Sequence, residues 1–252
     1  MSYLSGIAFY LELSYPHVRD IRKLPIISQM ICSMEKKVGQ PIKQKLLIED
    51  LHLHLLLEKL KESDDLDDKL FLAICFTAYH GLMRIGELVV PDDRKRLNFR
   101  KVILRRTVKI SNSDAPGVYE FNLPTSKSDQ RFFGNLVIIQ ACTGSLNPLE
   151  VFSNYLTHQD RAFPSFPQLW LRNRGLSPSQ SWFMCKLHAT LPTEYSGHSF
   201  RAGGATCLAE VGIPDNKIQA MGCWSSETWR VYVRKNPVIL IVKSSNSKSI
   251  FD

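Results

Sequence analysis

The chain has 252 residues, 44% of them hydrophobic and 22% charged, which is ordinary for a soluble globular protein of one large domain, or of one domain plus part of another. Its formal net charge of +8 suits a polyanionic partner such as nucleic acid, although many basic proteins bind nothing acidic. Six cysteines (32, 75, 142, 185, 207 and 223) include no CxxC pair, which excludes a zinc ribbon and a thioredoxin-like motif and points to a reducing compartment. Cys75, Cys207 and Cys223 lie in apolar or tightly turned surroundings and are expected to be buried thiols. The first twenty residues lack the basic and apolar regions of a signal peptide, and no apolar run reaches membrane-spanning length. The expectation is a soluble intracellular protein.

Residues 3–13 and 24–38 read as two helices separated by a Ser-Tyr-Pro-His break at 14–17. Two such helices cannot bury a core alone, so residues 1–40 are expected to be the remnant of a helical domain. The polar, basic stretch 41–45 follows as a linker. Residues 49–62 form an amphipathic helix, and 69–80 (KLFLAICFTAYH) is apolar nearly all round and reads as a buried helix. Gly81 interrupts it before a short helix in MRIGELV. Residues 97–110, 118–123 and 135–139 alternate as strands, with SNSDAPG as the first turn. Asn147-Pro148 starts a helix running to about 157, the Pro-rich stretch 163–181 reads as loop, and helices return at 198–211, 214–220 and 225–233. The fold class is mainly α with a small antiparallel β-sheet (α+β).

Several residues carry phosphate-friendly chemistry. Arg84 and Glu87 stand three apart in HGLMRIGEL. Such a pair serves as a helix-surface ion pair, yet its apolar flanks make a decorative charge costly to bury. Lys127 in LPTSKSDQ follows a strand, where a lysine is usually solubilising but can also protonate a leaving oxygen. His198 and Arg201 open a helix one turn apart and share a face, a reasonable anion site. Trp224 is core by default, though its indole N–H can hold a phosphate oxygen. Tyr232 is packing by default; as a nucleophile it needs neighbouring cations, because a phenol with a pKa near 10 is weak at neutral pH.

The ordered set Arg84, Lys127, His198-x-x-Arg201, Trp224, Tyr232 resembles the tyrosine recombinases, the phage-integrase-type DNA breaking–rejoining enzymes. Glu87 matches the acidic residue that often follows that family's first arginine. The resemblance spans residues 46–237 as a catalytic domain, leaving 1–40 as the end of the core-binding domain and 238–252 as a short tail. LPTSKSDQ, HSFRAGGAT and the eight-residue step from Trp224 to Tyr232 are closest to recombinases of eukaryotic mobile elements, the DIRS-type and Crypton-like elements, and so imply a nuclear protein.

The resemblance implies that Tyr232 attacks a DNA phosphate to form a 3′-phosphotyrosyl link. Arg84 and Arg201 would clamp the non-bridging oxygens, His198 and Trp224 would add hydrogen bonds, and Lys127 would protonate the leaving 5′-oxygen. Glu87 would orient the site. Lys43 and Lys45 of the linker join Arg84, Lys127 and Arg201 as expected DNA contacts. The implied partner is double-stranded DNA, bound by a homo-tetramer. No cofactor and no metal are implied, and the sequence carries neither a P-loop nor a carboxylate cluster for two metals. Two features depart from the pattern: the first domain is short, and the tail KSSNSKSIFD is polar. The alternative function is therefore a DNA-binding remnant without catalysis; a helical scaffold with no DNA role would require six ordered matches by chance.

Overall fold

A computed structural model describes residues 2–38, 46–111, 116–124 and 134–224. The chain divides into two compact units, Met1–Gln44 and Lys45–Asp252. Among its described residues the first contains three helices: α1 (Ser2–Leu11), α2 (Val18–Lys23) and α3 (Pro25–Val38). Helix α2 occupies residues directly after the expected break, its start tied by the N–H of Ile21 to the His17 carbonyl. Among the described residues of this unit, Ala8 is the buried apolar side chain, while Phe9, Tyr10, Ile26 and Met30 are exposed.

The second unit is organised around α5 (Leu66–His80). Its sequence is apolar nearly all round, and every residue from Leu66 to Tyr79 except Asp68 is buried. Asp65 caps it by accepting the Asp67 N–H at 3.0 Å, satisfying one of the orphan donors of the first turn. Helices α4 (Asp50–Leu60), α6 (Ile85–Leu88), α7 (Pro148–Ala162) and α9 (Gly197–Glu210) pack against α5. Helix α7 starts as its sequence dictates, with Pro148 in the first turn and Asn147 accepting the Leu149 N–H at 3.1 Å. Helices α8 (Gln180–His188) and α10 (Asp215–Met221) are the other α-helices among the described residues of this unit.

Strands β1 (Lys109–Ser111), β2 (Val118–Leu123) and β3 (Asn135–Gln140) form an antiparallel sheet in the order β1-β2-β3. Tyr119 faces Ile139 and Phe121 faces Val137 across β2 and β3. The period of two turns Tyr119, Phe121 and Leu123 inward, and all three are buried. Tyr119 stacks on Phe152 of α7 at 4.1 Å, and its hydroxyl lies 3.1 Å from Thr77 of α5. Burying each large side chain of this kind contributes about 1.5–3 kcal/mol. Tyr155 closes the same core, donating to the Leu169 carbonyl at 3.0 Å and accepting the Leu171 N–H at 2.8 Å.

The architecture is the mainly helical, small-sheet class expected, but three local assignments differ. Residues 97–110 do not form one strand. They make 3₁₀ turns at Phe99–Lys101 and Arg105–Thr107, preceded by another at Arg94–Arg96, and extend into β1 only at the end. Their backbone pairs with a loop instead: the Leu169 N–H reaches the Ile103 carbonyl at 2.9 Å, and the Arg105 N–H reaches Pro167 at 2.8 Å. Helix α8 rises out of the stretch read as loop, capped by Ser179, which accepts the Trp182 N–H at 3.3 Å. Of the three thiols expected to be buried, Cys75 is, Cys207 is half-buried, and Cys223, in the turn after α10, is exposed. The expected linker 41–45, helix 225–233 and tail 238–252 lie outside the described residues. Among the described residues, no helix is long and apolar enough to cross a membrane.

Candidate active site

Helix α5 ends at Gly81, whose N–H bonds back to the Thr77 carbonyl at 2.9 Å. A Cβ at Gly81 would stand 2.7 Å from that same carbonyl oxygen, so the close turn requires glycine. Leu82 then adopts a left-handed backbone at φ 49°, an uncommon conformation for a branched residue. The reversal delivers Arg84, in extended conformation, to the N-cap of α6. Glu87 holds it from one turn further on. One carboxylate oxygen accepts the Arg84 backbone N–H at 2.9 Å, and the other accepts Nη1 of the guanidinium at 3.0 Å. With the arginine side chain 28% exposed and the glutamate 11%, this is a partly desolvated pair. One guanidinium edge is fixed, and its remaining N–H donors keep their fork geometry.

Helix α9 supplies the second arginine. The Ser196 N–H donates to Ser199 Oγ at 2.9 Å and defines the helix start. Its middle is small for a reason: a Cβ at Gly203 would fall 1.7 Å from the Ile48 carbonyl oxygen, and one at Gly204 would fall 2.2 Å from that of Tyr79. The helix is thereby pressed against α5 and against the chain entering α4. Arg201 lies on this helix, only 4% exposed. Its Nη2 donates to the Gly222 carbonyl at the end of α10, and its guanidinium carbon lies 4.1 Å from the centre of the Trp224 ring. A cation–π contact of this desolvated kind is worth about 2 kcal/mol. Gly222 is required here too, because a side chain would run into the Trp224 ring.

Two cavities result. The smaller, about 250 Å³, is lined by Arg84, Glu87, Arg201, His80, β3 and the turn at Gly222 and Cys223. The larger, about 750 Å³, is lined by Arg84, Glu87 and His198, together with Arg96, Asn98 and Lys101. The shared face expected for His198 and Arg201 therefore opens onto two spaces joined at the Arg84–Glu87 pair. His198 is exposed at the second position of α9, while Arg201 is buried behind it. Trp224 is half-buried and reaches the site through Arg201. Lys127, Tyr232, Lys43 and Lys45 lie outside the described residues. Among the described residues, no group of three or more His, Cys, Asp or Glu side chains could hold a metal ion.

His80 escaped sequence reasoning. Burial lowers its pKa from 6.5 to about 4, against an opposing influence from Asp50. Its Nε2 is buried without a hydrogen-bond partner, and its Nδ1 lies 4.0 Å from Cys142 Sγ. The available signal was a polar residue ending an otherwise apolar helix. The only non-glycine residues with positive φ among those described, Leu82 and Cys223 at 50°, both line the smaller cavity. Backbone strain of this type, of order 1–3 kcal/mol each, gathers at functional sites.

No protein-family model matches the sequence, and no curated protein matches it. Solved structures do. The XerA recombinase superposes with a TM-score of 0.59 at 16% identity, over 83% of this chain and 66% of that one. The XerH site-specific recombinase, in a post-cleavage complex with a palindromic difH substrate, gives 0.55 at 14% identity, over 80% and 53%. The Tn1549 transposon integrase, in complex with transposon right end DNA, gives 0.51 at 13% identity, over 100% and 85%. The chain thus has the fold of a tyrosine recombinase catalytic domain. It spans between half and two thirds of the length of the two Xer chains.

Proposed function

We propose that the protein is a site-specific tyrosine recombinase of a mobile element, cleaving and rejoining double-stranded DNA through a 3′-phosphotyrosyl intermediate. The observation that carries this reading is the approach of Arg84 and Arg201, from α6 and α9, to one small cavity in a recombinase fold. Each is fixed by its own partner, Arg84 by Glu87 and Arg201 by the Gly222 carbonyl and Trp224. Two preorganised guanidinium groups, one partly and one almost wholly desolvated, suit the charge that develops on a phosphate in displacement.

In the proposed reaction the Tyr232 phenol oxygen attacks phosphorus, and the bond from phosphorus to the 5′-oxygen breaks. The phenol proton passes to His198, and Lys127 protonates the leaving 5′-oxygen. Arg84 and Arg201 hold the non-bridging oxygens, with Trp224 beside them and Glu87 orienting Arg84. Rejoining is the reverse with an incoming 5′-hydroxyl, so the phosphodiester energy is kept in the tyrosyl link and no cofactor takes part. Lys43 and Lys45 contact the flanking DNA, and the working unit is a homo-tetramer on its site. A DIRS-type or Crypton-like origin, and with it a nuclear setting, is supported by LPTSKSDQ, HSFRAGGAT and the Trp224-to-Tyr232 step.

The test is a pool of nicked suicide duplexes of randomised sequence. Wild type should form a denaturation-resistant protein–DNA adduct, and Tyr232→Phe should form none. Adduct persisting in that variant removes Tyr232 from the nucleophile's role. Salt-dependent DNA binding without adduct in wild type would favour the non-catalytic remnant.

A further inference from the structure

The segment 94–106, RKRLNFRKVILRR, carries seven Lys and Arg residues and no acidic one. It is also the segment in which the structure departs most from its strand-like sequence pattern. Its three 3₁₀ turns are anchored through Ile103, which is 2% exposed and bonded to Leu169, and through the Arg105 backbone bond to Pro167. The backbone is thus tied down at Ile103 and Arg105, and Arg96, Arg100 and Lys101 before them are exposed. Arg105 is already engaged, donating through Nε and Nη2 to Asp160 at 2.9 and 2.7 Å. Arg96 has only a loose partner, Asp93 at 3.6 Å, and is 81% exposed. Arg100 and Lys101 are exposed and pair with no carboxylate among the described residues.

These charges do not stand apart from the candidate site. Arg96, Asn98 and Lys101 line the same 750 Å³ cavity as Arg84 and His198. Gln180 of α8 adds a neutral hydrogen-bonding group to this lining. Glu87 is the one acidic lining residue among those described, and Arg84 already neutralises it. Asp92, next in the chain, is turned to Ser181, whose N–H and Oγ–H both donate to it at 3.0 and 2.6 Å. A wide cavity whose lining includes the exposed, weakly paired Arg96 and the exposed Lys101 matches an extended polyanionic ligand.

We infer that the 94–101 turns form a phosphate-binding wall for duplex DNA, with Arg96 and Lys101 neutralising backbone phosphates beside the one held by Arg84 and Arg201. This rests on the recombinase reading for the identity of the polyanion. It adds contacts outside the six-residue catalytic set, and their register would help place the scissile phosphate. Non-specific affinity for DNA comes mostly from such contacts, each releasing counterions.

The experiment measures binding of the full chain to a fluorescently labelled duplex of randomised sequence as salt is raised. Arg96→Gln and Lys101→Gln should each reduce the magnitude of the log–log slope by about 0.9, and the double variant by about 1.8. Lys61→Gln, which removes a cation paired with Glu58 on the surface at the end of α4, should leave the slope unchanged. Both target residues are exposed, so unchanged circular dichroism melting confirms that the variants are folded. A slope equal to wild type in both variants overturns the inference. The outcome is separable from the recombinase reading. Altered slopes without adduct on nicked duplexes uphold the wall and sink the chemistry; adduct with unaltered slopes does the reverse.

Discussion

His80 gives the sharpest solution test of the site's interior. It ends α5 between Phe76, at 6.0 Å, and Tyr79, at 5.2 Å between ring centres, and it lines the cavity shared by Arg84 and Arg201. Burial lowers its pKa from 6.5 to about 4. In the unfolded chain the ring takes up a proton as pH falls through 6.5, whereas in the folded chain it stays neutral until about 4. Folding stability is thus fully present above 6.5, falls between 6.5 and about 4, and levels off below. The ceiling of this effect is about 3 kcal/mol, and the share lost between about pH 7 and about pH 5 is about 2 kcal/mol. Urea denaturation of wild type and His80→Gln at those two values isolates the contribution, because the glutamine does not titrate. The wild-type loss should exceed the variant's by about 2 kcal/mol, read from transition midpoints at unchanged slope. Parallel losses in the two proteins would refute the burial of the ring and show that water or a counter-charge reaches it.

The close approach at Gly203 predicts that Gly203→Ala loses about 2 kcal/mol, because displacing the Ile48 carbonyl outweighs a helix-propensity gain of about 1 kcal/mol; Gly86→Ala, with open space around it, should lose nothing. Urea midpoints check both. Asp67, 8% exposed, accepts from Arg172 Nε and Nη2 at 3.2 Å each and from the Asn173 N–H at 2.8 Å. Asp67→Ala should lower stability by about 2 kcal/mol, less than a fully buried pair because the Arg172 side chain is 34% exposed. Arg201→Lys retains the charge but loses the planar stack on Trp224 and the fork, so adduct formation on nicked duplexes should fall at least about 100-fold.

Where burial is one-sided or complete, the pattern in the sequence was sufficient. The uninterrupted apolar run of α5 and the alternation of Tyr119, Phe121 and Leu123 could be placed without coordinates, because core contacts enforce the same period that the residues display. Segment 97–110 misled for the complementary reason. Its apolar residues alternate with cations, yet Phe99 is 74% exposed while Ile103 is buried, so the alternation does not follow one sheet face. Long-range bonds to the 167–169 loop decide its course, and nothing local announces them. Helix α8 was obscured by the prolines before it, although Ser179 was in place as its cap.

The candidate site divides along the same line. Arg84, His198, Arg201 and Trp224 were legible as candidates from their chemistry, while Lys127 and Tyr232 lie outside the described residues. The site's geometry was not legible, because it depends on two backbone reversals at Leu82 and Cys223, neither a glycine. Leu82 tolerates its left-handed turn because its side chain, 1% exposed, packs in a cluster with Ala205, Ala209 and Ile218 against Trp224. That packing joins α9 and α10 to the strand-like entry of Arg84. Compensation of local strain by distant burial is invisible to any window of sequence, and here it is what brings Arg84 and Arg201 to one cavity.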